Sequence, residues 1–527
     1  MDEPMYVLPE NVSRTLGRDA QRNNILACKT IGEIVKTTLG PRGMDKMLVD
    51  SAGGVTVTND GVTILEEMEI EHPAAKMLVE VARTQEAEVG DGTTTAALLG
   101  AKLLENAERL LDKKIHPTVI VAGYRKASEK SLELLKELGV NVENREMLKQ
   151  IAKTAMTGKG AEGSKEKLAE LVVSAVDLVA QGKNVRVEDV KIEKVRGEIE
   201  DSELISGIVL AKERANDDMP SRIENAKILV VESALEIKNP EIETRISVTS
   251  PEQLDSFIRS EENYLKDLTA RIAGVGANVV FCQKGIDDFA QNYLAKLGIY
   301  ACRRVPKEDI ERIARATGAR IVSNLNEIQG VRLGNAKIVE EKKLGDDEFT
   351  FIEGCEKGNV ASIVLHGSTE HVLDEIDRSV KDALGDVVSA VKSGKILPGG
   401  GAIEIELARR LRAYANTIGG REQLAIEEFA HSLESIPEAL AENAGLDPID
   451  FITELRKRHE QGLKNEGLNL FSNRIEDMIK AGIVEPLKVK TQAISSASEV
   501  AGMILRIDDV LISREKKVRD REGFTID

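Results

Sequence analysis

The chain has 527 residues, with 72 Lys and Arg residues against 90 Asp and Glu residues, which gives a formal net charge of -18. This acidic balance argues against a nucleic-acid-binding protein, which needs a basic face, and the length is sufficient for three or four domains. Tryptophan is absent and aromatic residues make up only 3% of the chain, so no aromatic platform for bases or sugars is apparent.

The four cysteines, Cys28, Cys282, Cys302 and Cys355, are scattered and form no CxxC pair. This spacing favours buried, reduced thiols over a zinc site or a disulfide framework, which fits a reducing compartment. Residues 1–30 lack the apolar segment of a signal peptide, and no apolar run is long enough to span a bilayer. We therefore expect a soluble cytoplasmic protein with neither a nucleic-acid nor a membrane partner.

The first 156 residues predict helices and one hairpin. Apolar residues recur at helical spacing over 21–39, and Gly40-Pro41 ends that helix. Asn59-Asp60-Gly61 leads into a helix that begins near Val62. The other elements predicted here are strands at 46–49 and 55–58, joined as a hairpin, and helices at 117–138 and 147–156.

Residues 90–95 read Gly-Asp-Gly-Thr-Thr-Thr and precede an apolar helical run. Two glycines allow a tight turn that a ligand can approach, and a helix start offers unpaired N–H groups that suit phosphate. The threonine hydroxyls add donors, and Asp91 adds an oxygen ligand of the kind that Mg²⁺ prefers. Taken alone, the segment fits a simple turn with a polar helix cap equally well.

Residues 158–163 match G-x-G-x-x-G, but they follow a segment of helical period rather than a buried strand. This context argues against a dinucleotide site, and Ser-Lys after Gly163 argues against a P-loop. We interpret the segment as a flexible turn that carries Lys159.

The middle of the chain alternates between strand and helix patterns, which predicts a separate α/β domain. One helix interrupts this alternation, with Ser250 as its cap, Pro251 at its first position and Gln253 in the capping-box position. Its apolar stripe is either core or, in part, a surface for another chain. The predicted elements are β structure at 185–195, strands at 227–231, 279–282, 300–302 and 320–322, and helices at 287–297 and 307–317.

The C-terminal third predicts a helix at 377–391, a glycine loop at 399–401 and a further helix at 402–413. From there to Ile512 the pattern is almost entirely helical. Residues 514–527 are charged and are expected to form a frayed end or a tail.

Five motifs in one order resemble those of the chaperonins, from about Asn11 to about Ile512. Residues 236–268 resemble the helical protrusion of group II chaperonins, which replaces a separate lid protein. Segments 420–425, 441–446 and 485–492 resemble the archaeal thermosome branch of the TCP-1 family. The five motifs are Thr38-Leu39-Gly40-Pro41, Asn59-Asp60-Gly61, the 90–95 segment, Asp382-Ala383-Leu384 and Gly399-Gly400-Gly401.

The resemblance implies a nested multi-domain fold. An all-α equatorial domain would come from 1–143 and 400–527, and an α/β intermediate hinge domain from 144–213 and 352–399. An α/β apical domain would span 214–351 and carry the helical protrusion at about 236–268. The residue patterns agree with this implication, since both chain ends are mainly helical and the middle is α/β.

The resemblance also implies roles for individual residues. Asp60 and Asp382 would position and activate the attacking water, Asp91 would hold Mg²⁺, and Lys159 would sense the terminal phosphate of ATP. Asn59 stands where the group I pattern has lysine, which leaves Lys159 as the local cation besides metal. The implied nucleotide-binding residues are Thr38, Leu39, Gly40, Pro41, Gly61, Gly92, Thr93, Thr94, Thr95, Lys159, Gly400, Gly401, Asn469 and Glu485.

The implied partners are non-native polypeptides and further subunits, in two stacked rings of eight or nine. The resemblance implies ATP and Mg²⁺, leaves K⁺ open as a further ion, and requires no separate lid co-chaperonin. For Phe289 and its helix, substrate contact and core packing are both open. The residues implied in substrate contact or lid closure are Phe257, Ile258, Tyr264, Leu265, Phe289 and Tyr293.

Three functions remain to be compared. The leading hypothesis is an ATP-hydrolysing folding machine with a built-in lid. The alternative is a ring or filament scaffold that binds nucleotide with little turnover, which the presence of Asp60, Asp91 and Asp382 disfavours. A nicotinamide-dependent enzyme built on the Gly158 turn is disfavoured by the context of that turn.

Overall fold

The computed structural model describes residues 12–159, 162–237, 251–325, 328–345, 347–356 and 360–513. The predicted Ser250 cap, the protrusion residues 238–250 and the tail 514–527 lie outside these ranges. The chain forms two compact units, one from Met1–Glu162 and Gly385–Asp527 and the other from Gly163–Leu384. The finer division into three domains stays a prediction.

The helices follow the predicted apolar periodicity closely, and α5 and α10 match their predicted bounds. Pro117 occupies the first position of α5, where its missing N–H costs nothing, and His116 caps that helix. The helices are α1 Gly17–Lys36, α2 Gly61–Glu67, α3 Pro73–Val89, α4 Thr93–Asp112, α5 Pro117–Leu138, α6 Arg145–Met156, α7 Lys165–Val179, α8 Pro251–Gly274, α9 Asp288–Lys296, α10 Lys307–Thr317, α11 Glu370–Ser393, α12 Ala402–Ile418, α13 Gly420–Asn443, α14 Pro448–Glu460, α15 Met478–Ala481 and α16 Leu487–Leu505.

Strands occur in both units, and many of them have five residues or fewer. The predicted hairpin is confirmed at its predicted residues. The strands are β1 Val12–Leu16, β2 Lys46–Val49, β3 Val55–Thr58, β4 Val140–Asn141, β5 Val190–Arg196, β6 Glu203–Ile205, β7 Gly207–Leu210, β8 Arg222–Val231, β9 Val279–Cys282, β10 Tyr300–Cys302, β11 Ile321–Val322, β12 Gly334–Leu344, β13 Asp347–Glu353, β14 Ala361–Gly367, β15 Lys395–Pro398, β16 Glu466–Asn469, β17 Arg474–Asp477, β18 Val484–Pro486 and β19 Asp509–Ser513.

The first unit packs its helices around α4. A Cβ added at Gly32 of α1 would lie 2.5 Å from the Cβ of Ala101, so these two helices approach as closely as their backbones allow. Tyr124 of α5 meets Phe429 of α13 edge to face at 5.6 Å, and its hydroxyl donates to the carbonyl of Leu103 at 2.8 Å. Both aromatic rings are thus buried, and the Tyr124 hydroxyl has a hydrogen-bond partner.

The expectation of an all-α equatorial domain is wrong in one respect, and the chain up to Ile512, expected to be almost entirely helical, also contains short strands. The described part of the first unit contains four small pieces of β structure, namely β1 with β19, β2 with β3, β4 and β18 on either side of β15, and β16 with β17. Strands of two to five residues leave too short a pattern to distinguish from helix. The β15 group places the Gly399–Gly401 loop beside residues that are distant in sequence.

The second unit is α/β, as the alternating pattern predicts. Its larger sheet has the order β10-β9-β8-β12-β13-β7, with β11 paired to β8, and β8, β9 and β10 run parallel. The antiparallel strands β12, β13 and β7 were not predicted. A three-stranded sheet, β5-β14-β6, completes the unit.

The four cysteines are all free, and Cys355 alone is only partly buried. Burial raises the pKa of Cys28 to about 12 and that of Cys282 to about 11, so neither thiol ionises readily near neutral pH. Across the described ranges, no helix combines the length and the apolar character that a membrane span requires.

Candidate functional site

One cavity of about 210 Å³ in the first unit collects most of the predicted nucleotide-site residues. The lining residues come from both chain segments of this unit, which explains their wide separation in sequence. Those that were predicted from sequence are Thr38, Leu39, Gly40, Pro41, Asp60, Asp91, Gly92, Thr93, Thr94, Thr95, Lys159, Gly400, Gly401 and Glu485.

Three predicted residues do not line this cavity. Gly61 begins α2, where an added Cβ would meet the hydroxyl oxygen of Thr94 at 2.5 Å, so its place is to let α2 approach α4. The Asn469 amide donates to Glu476 and accepts from the backbone N–H of Phe471. Asp382 belongs to the second unit, on α11, and its role stays a prediction.

The start of α4 lines the cavity, and no side chain caps its first backbone N–H groups. Gly92 is the N-cap residue, with φ of 81°, and therefore offers no side chain to cap the helix. An added Cβ would lie 2.8 Å from Cγ1 of Val489, so both space and backbone conformation require glycine. The three threonines of the first turn line the cavity, which makes this helix start a suitable anion site.

A second helix start opens on the same cavity. Gly401 is the N-cap of α12, with φ of 77° and no capping side chain. It follows the β15 strand, whose pairing with β4 and β18 fixes the loop in place. Two positive helix ends directed at one cavity favour a polyanion over a ligand with a single charge.

Asp60 is both a helix cap and a part of the cavity wall. Its Oδ2 accepts hydrogen bonds from the N–H and hydroxyl of Thr63 at 2.9 Å and 2.7 Å, which caps α2. Its Oδ1 accepts from the Thr93 hydroxyl at 3.1 Å, which ties α2 to the start of α4. Asp60 can therefore cap α2 and also take part in chemistry at the cavity.

The Gly158 turn packs against the cavity rather than standing apart from it. The Asn59 amide donates to the Gly158 carbonyl at 2.7 Å. Lys159 lines the cavity, and its Nζ lies 3.7 Å from Oδ1 of Asp91. The turn therefore places the Lys159 ammonium beside the Asp91 carboxylate in the cavity.

The donor set of the cavity fits a magnesium ion that arrives with phosphate. Mg²⁺ often takes only one or two carboxylates and completes its six ligands with phosphate oxygens and water. Asp60 and Asp91 supply two carboxylates on the cavity wall. Within the described ranges no group of three or more His, Cys, Asp or Glu residues could hold a metal without such help.

Sequence reasoning missed a buried ion network behind the cavity, and Lys159 is not the only local cation. Lys490 lines the cavity, and its Nζ lies 2.8 Å from both Oε1 of Glu404 and Oε2 of Glu485. Burial lowers the pKa of Lys490, but the two carboxylates outweigh it, so its pKa is raised and it stays charged. Burial and the charges of Glu404 and Asp91 raise the pKa of Glu485 against the effect of Lys490.

One sequence signal could have found this network. Lys490 is the one charged residue among the buried residues of α16, where a lysine is unexpected without a partner. The apolar part of the cavity lining was also missed, and it offers a surface for a nucleobase. Its side chains are Ile436, Leu440, Leu468, Leu470, Phe471 and Ile483.

The predicted substrate residues in the second unit divide into exposed and buried groups. Phe257, Ile258, Tyr264 and Phe289 are each between 42% and 49% exposed, as a contact surface requires. Leu265 is fully buried in the core of this unit, so the predicted contact role is wrong for Leu265.

On α9 the two interpretations that the sequence left open, substrate contact and core packing, apply to different residues. Leu294 is fully buried, whereas Phe289 is exposed. Tyr293 is half-buried, with the Lys296 ammonium 5.5 Å from the centre of its ring. The helix thus packs one face on the sheet and leaves Phe289 on the other.

Comparison with known proteins places the chain in context. The model of the TCP-1/cpn60 chaperonin family matches residues 31–515. A thermosome subunit of Methanopyrus kandleri is 54% identical over 518 residues, which cover 97% of this chain and 95% of that protein. Thermosome subunit alpha of Archaeoglobus fulgidus is 54% identical over 528 residues, which cover 99% of this chain and 97% of that protein. The similarity therefore extends over nearly the whole chain.

Proposed function

Because the chain belongs to the TCP-1/cpn60 chaperonin family, we propose that its cavity binds and hydrolyses ATP to drive the folding of other proteins. It is an ATP-dependent chaperonin, in keeping with its identity to thermosome subunits. The observation that carries the proposal of hydrolysis is the cavity itself, which is lined by two helix starts without capping side chains and by the carboxylates of Asp60 and Asp91.

The phosphate groups of ATP bind at the start of α4. The N–H groups and hydroxyls of residues 93–95 donate to phosphate oxygens, and the backbone of residues 38–41, which line the same cavity, helps to enclose the phosphates. Lys159 adds a positive charge at the terminal phosphate. The apolar part of the cavity lining contacts the base, and Glu485, which also lines the cavity, lies near the ribose.

Hydrolysis of ATP depends more on neutralising the charge of the phosphates and on aligning the attacking water than on covalent chemistry by the protein. Mg²⁺, held by Asp91 and phosphate oxygens, supplies that neutralisation when it is bound. Asp60 retains one carboxylate oxygen bonded only to the Thr93 hydroxyl, and it orients the attacking water. Asp382 completes this arrangement from the second unit and receives the proton of that water.

Hydrolysis in this scheme requires the two units to close on each other, because Asp382 and Asp60 belong to different units. Closure couples nucleotide chemistry to the movement of the apical region. The proposed domains are an equatorial domain at 1–143 and 400–527, an intermediate domain at 144–213 and 352–399, and an apical domain at 214–351, as the resemblance to chaperonins implies. The protrusion at about 236–268 then acts as the lid.

The names of the relatives support an assembly of several subunits, since they are called thermosome subunits, some of them alpha and beta. We propose two stacked rings of eight or nine cytoplasmic subunits that enclose non-native polypeptides, with no separate lid protein. Negative-stain images of purified particles would give the ring symmetry. Particles without rings would contradict this assembly.

Phosphate release by wild type, Asp382→Ala and Asp374→Ala tests the hydrolysis mechanism. Asp374 lies on the same helix and forms an exposed pair with Lys194, so it is a matched control. We expect Asp382→Ala to release phosphate about 100-fold more slowly, a typical loss for general base catalysis, while ATP still binds. Equal rates for wild type and Asp382→Ala would refute the catalytic role. A wild type that binds ATP but releases no phosphate would favour the scaffold.

A further inference from the structure

The side chain of Asn443, the last residue of α13, closes the end of α1. Its amide nitrogen donates to the carbonyl of Lys36 and to the carbonyl of Leu39, both at 2.9 Å. Lys36 ends α1, and a helix leaves the carbonyls of its last turn without partners of its own. Because both acceptors are carbonyls, the two bonds need the two N–H donors of an amide, which a carboxylate lacks.

The second of these bonds fixes a peptide group of the cavity wall. Leu39 and Gly40 both line the cavity. In a planar trans peptide the C=O and the N–H point in opposite directions. Holding the Leu39 carbonyl towards Asn443 therefore turns the Gly40 N–H away from Asn443, and no described residue accepts a hydrogen bond from that N–H. The Gly40 N–H is thus a donor of fixed direction that is available to a ligand.

Two neighbours of Asn443 on α13 support the same part of the chain. Leu440 precedes Asn443 by three residues and so lies on the same face of the helix. Gly40 has a φ of 80°, and a Cβ added there would collide with Cδ2 of Leu440. Glu442 forms an ion pair with Lys36 at the end of α1. The end of α13 therefore fixes both the end of α1 and the loop that follows it.

We propose that Asn443 is a positioning residue for ATP, which directs the Gly40 N–H at a phosphate oxygen by holding the Leu39 carbonyl. The inference rests on the proposed function of the cavity as an ATP site. Asn443 does not line the cavity, so it acts through the loop and not by contact with the nucleotide. Without its amide, the peptide group between Leu39 and Gly40 is free to rotate. The phosphates then lose a preorganised donor, whereas the adenosine part of the nucleotide keeps its contacts.

Equilibrium binding of ATP and of adenosine to the assembled protein tests the proposal. We expect Asn443→Ala to bind ATP about tenfold more weakly than wild type. Asn443→Asp should lose at least as much, because its carboxylate keeps the size of the amide but repels both carbonyls. Adenosine has no phosphate, so both variants should bind it like wild type. The matched control is Asn106→Ala, which removes a buried amide bonded to the Ser432 hydroxyl of the same unit and should keep the wild-type affinity for ATP.

The two ligands separate positioning of the phosphate loop from a general loss of structure, because a loosened cavity weakens ATP and adenosine alike. Wild-type affinity for ATP in Asn443→Ala would overturn the proposal, as would an equal loss for both ligands. Where adenosine binds too weakly to measure, an equal loss of ATP affinity in Asn106→Ala and Asn443→Ala would overturn it. Should one Asn443 variant fail to assemble, the other decides alone, since alanine adds no charge and aspartate keeps the shape of the side chain. A wild type that binds no ATP would instead refute the proposed function.

Discussion

The Thr93 hydroxyl donates a hydrogen bond of 3.1 Å to Oδ1 of Asp60 and so joins the start of α4 to the cap of α2. Thr93 belongs to the proposed phosphate-binding turn, and Asp60 is the proposed orienting carboxylate. A single bond thus links the residues that would hold the phosphate and the residue that would hold the water. The position of each depends on the other.

Asp60→Asn tests the carboxylate separately from the helix cap. Asparagine caps helices about as well as aspartate, so the unfolding temperature should stay near that of wild type. The charge is lost, and phosphate release should fall by about 100-fold or more. Asp447→Asn, which makes the same change at the cap of α14, is the control and should keep the full rate. A normal rate in Asp60→Asn would contradict the assignment.

Gly92→Ala tests the close packing of the phosphate-binding turn. Alanine there meets both an unfavourable φ of 81° and the Cγ1 of Val489 at 2.8 Å. Gly276→Ala shares the φ of 81° but has no atom within 4 Å, so it isolates the backbone cost of about 1–2 kcal/mol. In denaturant unfolding, the free energy of unfolding of Gly92→Ala should fall by about 1–3 kcal/mol more than that of Gly276→Ala. Gly92→Ala should also bind ATP more weakly. Equal losses of stability in Gly92→Ala and Gly276→Ala would show that the turn moves away from Val489 without cost.

The stability of the first unit should depend on a buried carboxylate at acidic pH. Burial by itself raises the pKa of Glu406, but hydrogen bonds from His459, Arg409 and Arg410 outweigh it and lower that pKa to about 2. The lowered pKa stabilises the fold above about pH 4.5, and that stabilisation, about 3 kcal/mol, disappears as the pH falls from about 4.5 towards 2.

Unfolding temperatures at pH 5 and pH 3 measure this effect. Glu406→Gln should be less stable than wild type at neutral pH by about 3–5 kcal/mol, because it removes the buried carboxylate that pairs with Arg409 and Arg410. Its unfolding temperature should then fall less than that of wild type between the two pH values. The control is Glu454→Gln, an exposed partner of Arg458, which should behave like wild type. An equal fall in Glu406→Gln and wild type would show that other groups dominate.

Phe289→Ser tests substrate contact by the second unit. The side chain is 49% exposed, so its loss should leave the unfolding temperature almost unchanged. Light scattering should show several-fold weaker suppression of the aggregation of a denatured protein. Leu424→Ser removes an apolar side chain, 37% exposed, from the first unit and should suppress aggregation like wild type. Full suppression by Phe289→Ser would exclude this residue from the contact surface.

Local patterns within the sequence determined the regular elements. The apolar period fixed α5 and α10, and the strands on either side of a glycine turn fixed the β2–β3 hairpin. The glycine–threonine segment predicted the start of α4. These features depend on residues a few positions apart, so the chain encodes them without reference to the rest of the fold.

The tertiary structure decided what depends on distant segments. Only packing shows that Leu265 faces the core, since Phe257 and Ile258 of the same helix are also apolar and yet are exposed. Only folding brings Lys490 between Glu404 and Glu485, since an ion pair between separate helices has no sequence spacing to mark it. Short strands such as β15 exist because distant partners supply their hydrogen bonds, whereas helices and hairpins find theirs nearby.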